Sequence, residues 1–152
     1  MNIKKIVIAC DHGGYELKEH IRKSLMVWEK GDDENICEVH DLGCDSEDSV
    51  DYPDFAHPLC DEIESGNYDL GILICGSGNG INMTANSHEG IRSALCWRPD
   101  IASLARQHND ANVMALPGRF IDRHLAWDCV KNFVLSDYEG GRHQRRVDKI
   151  KN

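Results

Sequence analysis

No apolar run in the chain is long enough to cross a bilayer, no cysteines stand at CxxC spacing, no segment is repeated or of low complexity, and cations are scarce. Each lack excludes something. The short apolar run ending at Cys10 is followed at once by Asp11 and His12, too short for a signal peptide or a membrane span, so a cytoplasmic protein with no membrane partner is expected. Seven cysteines in no paired spacing support neither a disulfide framework nor a zinc ribbon, and reduced thiols are the default. A net charge of −9 argues against a nucleic-acid partner. Three chemical fingerprints are also missing. Ile81 stands where a cysteine phosphatase loop needs its arginine, Ile81 and Asn82 stand where a nucleotide P-loop needs lysine and a hydroxyl, and the GxGxxG spacing of a nicotinamide site is absent.

What is present is an alternation. The 152 residues suit one domain with a real core. Strand-like runs at Ile3 to Cys10, Ile36 to Leu42, Leu70 to Cys75, Ile91 to Cys96 and Val113 to Leu116 are separated by helical patterns. Those patterns show as Leu17, Ile21 and Leu25, Leu59 with Ile63, Ile101 with Ala105, and Leu125 with Cys129 and Phe133. Such a chain predicts an α/β fold: a Rossmann-like, doubly wound, five-stranded parallel sheet with helices on both faces and a C-terminal helical tail. The acidic stretch Glu29 to Asn35 reads as a solvated loop. Pro53 suits the first turn of a helix, and Pro58 is expected to kink or delay it.

Chemistry should collect at the carboxyl ends of parallel strands. The third run delivers Cys75 into Gly76-Ser77-Gly78-Asn79-Gly80, a turn whose backbone N–H groups suit an anion; read alone, Cys75 also fits a buried core thiol. The first run ends in Asp11 and His12, where an aspartate serves equally well as a helix cap. Arg106-Gln107-His108-Asn109-Asp110 leads into the fifth run, and His108 alone fits a helix-end cation. From Gly140 onward five basic residues face one acid, a local +4 that leaves −13 for the rest. This is either a solvated helix face or a phosphate clamp, with Arg142 and Arg146 four apart on one side.

In order along nearly the whole chain, CDHGG at Cys10, DYPDFA at Asp51, GILICGSGNG at Gly71, IRSAL at Ile91, RQHNDANV at Arg106 and YEGGRHQRRV at Tyr138 closely resemble the ribose-5-phosphate isomerase B family. That family includes isomerases of allose and galactose phosphates. The resemblance implies a single sugar-phosphate isomerase domain over 1–152, acting as a homodimer or homotetramer. It would interconvert ribose 5-phosphate and ribulose 5-phosphate through an enediolate, with no cofactor and no metal. It implies that Cys75 is the base, the more so because a helix N-terminus favours the thiolate. Ser77 would pass a proton between the enediolate oxygens while the N–H groups of Gly76 through Gly80, among them Gly78 and Asn79, hold their charge. Asp11 would contact the sugar hydroxyls, and His108 with Asn109 would assist ring opening. His12, Arg119, Arg142 and Arg146 would bind the phosphate, and Tyr52 would line the sugar site. The basic segment 138–152 would reach a partner subunit.

One branch of that family carries the cysteine with CGTG; another lacks it, reads GSGNGE, and uses the glutamate as base. This chain joins Cys75 to GSGNG and puts Ile81 where the glutamate would stand, which leaves Cys75 as the remaining candidate. The resemblance leaves a hexose-6-phosphate isomerase open as the alternative. A sugar-phosphate-binding module without turnover would have no need of a thiol beside an anion-binding turn, and a thiol-redox protein would need a resolving cysteine.

Overall fold

The computed structural model describes residues 3–29 and 37–151. Strands and helices alternate as β1 (Lys4–Cys10), α1 (Tyr15–Glu29), β2 (Cys37–Asp41), α2 (Tyr52–Glu64), β3 (Leu70–Cys75), α3 (Asn79–Asn86), β4 (Ser93–Leu95), α4 (Pro99–Asn109), β5 (Val113–Pro117), α5 (Arg123–Leu135) and α6 (Arg142–Val147). A 3-10 turn, His12–Gly14, joins β1 to α1. The expected strands are all found, with the fourth trimmed at both ends to Ser93–Leu95. Beyond Glu29, the acidic stretch read as a loop lies outside the described residues.

Every strand pairing is parallel, in the order β2-β1-β3-β5-β4. Parallel strands covered on both faces must be apolar throughout. All six residues of β3 and all five of β5 are buried accordingly. Alternate residues sort to opposite sides. Ile6, Ile8, Ile72, Ile74, Met114 and Leu116 pack with the apolar stripes of α1, α4 and α5. Val7, Ala9, Leu73, Cys75, Val113 and Ala115 pack with Ala56, Leu59 and Ile63 of α2 and with Ile81 and Ala85 of α3.

Pro58 does not delay the helix: α2 runs unbroken from Tyr52 to Glu64 with Pro58 inside. Both Pro58 and Asp54, whose carbonyl loses its helical donor, are exposed, so water takes the place of the missing N–H. At the other end of the sheet, α6 is a six-residue helix whose arginines are exposed.

The topology also fixes where a ligand belongs. From β1 the chain goes to β2 on one side and returns to β3 on the other, so the loops after β1 and β3 diverge and leave a crevice between their carboxyl ends.

Candidate active site

Three strand ends meet at that crevice through their main chains. A Cβ on Gly13, after β1, would lie 3.1 Å from the Gly76 nitrogen, and one on Gly118, after β5, would lie 3.0 Å from the Gly13 carbonyl oxygen. Gly118 N–H donates to the Cys75 carbonyl at 2.8 Å and Arg119 N–H to the Gly76 carbonyl at 3.0 Å. Gly14 is tighter still: a Cβ there would be 2.7 Å from the carbonyl carbon of Ile74 and press on its oxygen. Since β3 is the middle strand it cannot give way, and Gly14→Ala is expected to cost about 3 kcal/mol. A urea midpoint unchanged by that substitution would show that the loop relaxes freely.

Cys75 closes β3 and is 4 % exposed. Immediately after it the chain turns through Gly78, left-handed at φ 78°. The N–H groups of Gly76, Ser77 and Gly78 have no hydrogen-bond partner among the described residues, whereas Asn79 N–H is taken by Ser77 Oγ at 3.2 Å. Three consecutive free donors beside a thiol form a cradle for an oxyanion at the start of α3.

Around this cradle stand the residues expected from the first, second and fifth strand ends. Asp11 is buried, and its Oδ1 accepts Gly14 N–H at 3.2 Å, so it does cap the turn. No bond among the described residues engages its second carboxylate oxygen. The His12 Nδ1 lies 3.1 Å from Val50 N and 3.2 Å from the Val50 carbonyl oxygen, so the ring is held by the main chain of Val50 through that nitrogen. Tyr52 lies on the turn: a Cβ on Gly80 would meet the phenol ring at 2.5 Å. The Arg119 side chain lies over Gly76, where a Cβ would be 3.4 Å from Nη1, and no carboxylate pairs with it among the described residues.

Lys18 is the residue sequence reading missed here. It is fully buried, and its Nζ donates to both carboxylate oxygens of Asp41 and, at 2.7 Å, to the Cys44 carbonyl. Burial works to lower its pKa, but the hydrogen-bonded Asp41 carboxylate more than offsets this and holds the ammonium above the usual lysine value. The cation thus pins the start of the loop that carries Val50 and Tyr52 to the cradle. Its signal was a lysine on the apolar stripe between Leu17 and Ile21.

The remaining thiols lie elsewhere in the core. Burial pushes Cys96 and Cys60 up to about 12 and Cys129 to about 11, and lifts Cys10, beside Cys44, further.

His108, Asn109, Arg142 and Arg146 are not brought to Cys75 within this chain. His108 ends α4, whose C-terminus leads into the amino end of β5, and Arg92 before β4 donates to the Asn109 carbonyl at 3.1 Å. This is the opposite end of the sheet. At about 3.3 Å per residue the six residues of β3 hold the two groups about 16 Å apart. His108 is therefore no neighbour of the Cys75 thiol in its own chain. The tail docks at this far end: Glu139 N–H donates to the Gln107 carbonyl at 3.0 Å, and the His143 ring stacks on His108 with centroids 4.1 Å apart. Arg146 Nη1 donates to the Arg142 carbonyl at 3.0 Å, placing both guanidiniums on one exposed face. Neither has a carboxylate partner among the described residues.

Two groups among the described residues have the composition to hold a metal, His108 with Glu139 and His143, and Asp61 with Glu64 and His88. Neither includes Cys75 or Asp11.

A family model described as Ribose/Galactose Isomerase matches residues 6–150. The chain belongs to the ribose/galactose isomerase family. Among relatives in this isomerase family, ribose-5-phosphate isomerase B of Escherichia coli (strain K12) is 43% identical over 148 residues, covering 97% of this chain and 95% of that protein. The crystal structure of a ribose 5-phosphate isomerase from Thermotoga maritima superposes with a TM-score of 0.92 at 46% identity, over 99% of both chains. Ribose-5-phosphate isomerase B of Mycoplasma genitalium, solved with bound ribulose-5-phosphate, gives a TM-score of 0.87 at 42% identity, over 96% of this chain and 93% of that one. In the isomerase fold of this chain no helix among the described residues is long and apolar enough to cross a membrane.

Proposed function

We propose that this protein interconverts ribose 5-phosphate and ribulose 5-phosphate in the cytoplasm, as a step of the pentose phosphate pathway, and that Cys75 is the base. The observation that carries the assignment is the thiol at the end of β3 followed by three N–H donors without a partner among the described residues. Isomerisation removes a proton from C2 of the open aldose and returns it to C1, and the enediolate between them carries its charge on two adjacent oxygens. A thiolate at Cys75 takes and returns the carbon-bound proton. The N–H groups of the turn hold the charge where it develops, and Ser77 Oγ moves the hydroxyl proton from one oxygen to the other. Asp11 receives the sugar hydroxyls, Tyr52 lines the sugar, and His12 and Arg119 meet the phosphate.

Ring opening and the rest of the phosphate grip come, in this reading, from a second copy of the same 152-residue domain. His108, Asn109, Arg142 and Arg146 sit at the wrong end of their own sheet to serve Cys75, and they are grouped on an exposed cationic edge. A two-fold pair would bring that edge over the partner's crevice, so that the segment 138–152 reaches across and each site is built from both chains. A homodimer suffices, and a homotetramer would be two such pairs.

Backbone dipoles supply the charge stabilisation, so turnover of ribose 5-phosphate is expected without added cofactor and with full retention in EDTA. Assays with ribose 5-phosphate, allose 6-phosphate and galactose 6-phosphate in parallel test the reading. Loss on chelation with recovery on adding a divalent ion would refute the mechanism, and preference for a six-carbon phosphate would reassign the substrate.

A further inference from the structure

The contact between the tail and α4 has a geometry that hydrogen bonding does not explain. His143 Nε2 is 3.5 Å and His108 Nε2 3.8 Å from the same oxygen, Glu139 Oε2, too far for either ring to hydrogen-bond the carboxylate well. The rings are stacked at 16°, so both nitrogens approach that oxygen from one side. All three ligand atoms lie within 4.8 Å of one another. Two ligands of a tetrahedral zinc, each about 2.0–2.2 Å from the ion, stand about 3.4 Å apart. The two imidazole–carboxylate separations match that spacing to within a few tenths of an ångström.

The three groups are positioned by main chain. Glu139 is tied to Gln107 through its N–H, and His143 N–H donates to the Gly140 carbonyl at 3.1 Å across the turn of Gly140 and Gly141, both at positive φ. Glu139 is about half exposed, which gives an ion access. Two imidazoles and one carboxylate are the donor set of an open zinc site with a position left for water, and the imidazoles favour a borderline transition cation over Mg²⁺ or Ca²⁺.

We propose that His108, Glu139 and His143 bind a divalent transition cation such as Zn²⁺, and that the bound ion switches isomerisation off. The inhibition rests on the assignment of His108 to ring opening: a ring whose Nε2 holds a metal can no longer move a proton to or from the sugar. The two imidazole planes swing apart when the ion enters, and the site competes with the catalytic use of His108 instead of assisting it.

The test separates binding from turnover. Metal-free protein is titrated with Zn²⁺ against a chromophoric chelator, with Glu139→Gln, His143→Gln, Cys75→Ala and Glu64→Gln alongside. Outer-shell changes around a metal already cost about 10–100-fold in affinity, so loss of a direct ligand is expected to weaken Zn²⁺ by about 100-fold in Glu139→Gln and in His143→Gln. Cys75→Ala and Glu64→Gln should keep the wild-type affinity. Zn²⁺ should stop wild-type turnover, EDTA should restore it, and Glu139→Gln and His143→Gln should turn over in Zn²⁺ that silences the wild type. Unchanged affinity in both of those variants, affinity lost with Glu64 or Cys75, or turnover indifferent to saturating Zn²⁺ would each overturn the proposal. A protein that binds Zn²⁺ as described but never isomerises a sugar phosphate, even metal-free, would instead refute the isomerase reading and the inhibition with it, leaving the metal site standing.

Discussion

Cys75→Ala is expected to lower kcat by about 1000-fold or more while KM changes little, because a general base contributes about 10²–10⁴-fold and is felt in the transition state. That loss corresponds to about 4 kcal/mol of barrier. Cys10→Ala and Cys96→Ala remove thiols that also stand at strand ends but that burial keeps protonated, and both variants should stay active. Iodoacetamide should inactivate the protein through one residue, more slowly with sugar phosphate bound. The sharper form of the experiment adds Ile81→Glu to Cys75→Ala. Ile81 is fully buried and belongs to the same core cluster as Cys75, so a carboxylate there enters the apolar layer that the thiol has left. It also carries the desolvation cost of a buried acid, and a lower melting temperature should accompany any partial rescue. A fully active Cys75→Ala enzyme would remove the thiol from the mechanism and turn attention to Asp11.

Mixing two inactive proteins should yield an active one. Arg142→Ala with Arg146→Ala leaves Cys75 in place but strips the phosphate grip, each guanidinium being worth about 1.5–3 kcal/mol as a charge-assisted contact. Cys75→Ala keeps the arginines. If the site is built from both chains, a mixed pair holds one crevice with an intact thiol facing an intact tail. Random exchange then gives about a quarter of the wild-type sites, by the symmetry of a two-fold pair. Activity should rise from near zero as subunits exchange, at substrate levels well below the KM of the arginine variant. Absence of recovery in pairs shown to be mixed by mass spectrometry would mean that each chain completes its own site.

Sequence patterns carried the sheet well because both of its faces are covered. Leu70 to Cys75 and Val113 to Leu116 are apolar at every position, a run that a half-exposed strand would have broken with polar residues. The edge strand β4 is shorter than its apolar run because the register with β5 covers Ser93 to Leu95 alone: Ile91 is buried without pairing to β5, and Cys96 adds a single N–H to the Ala115 carbonyl at 2.9 Å. Pro58 misled because a proline's cost depends on whether solvent reaches the orphaned carbonyl, which one sequence does not record. At the site, the strand-end logic found Asp11, His12 and Cys75, since their places follow from topology alone. Lys18 escaped notice because an ammonium on an apolar stripe declares itself only when its carboxylate, 23 residues away in Asp41, folds onto it. Nor could spacing along the chain reveal that His108 and Cys75 face opposite ends of β3. That depends on α4 running antiparallel to the strands it connects.

The close approach of Gly13, Gly76 and Gly118 divides the molecule by how freely it can drift. Where the charge of the intermediate would be held, the wall is peptide backbone packed on peptide backbone, and the donors are N–H groups that only a change to proline can delete. In the proposed reading, by contrast, Asp11, His12, Tyr52, Arg119 and the exposed arginines of the tail meet the sugar phosphate through side chains. Mutation can therefore retune which phosphate ester is gripped, and how long its carbon chain is, without touching the element that stabilises the enediolate. A fold arranged this way lets substrate preference, and even the identity of the base, diverge among relatives while the backbone cradle for the enediolate charge is kept.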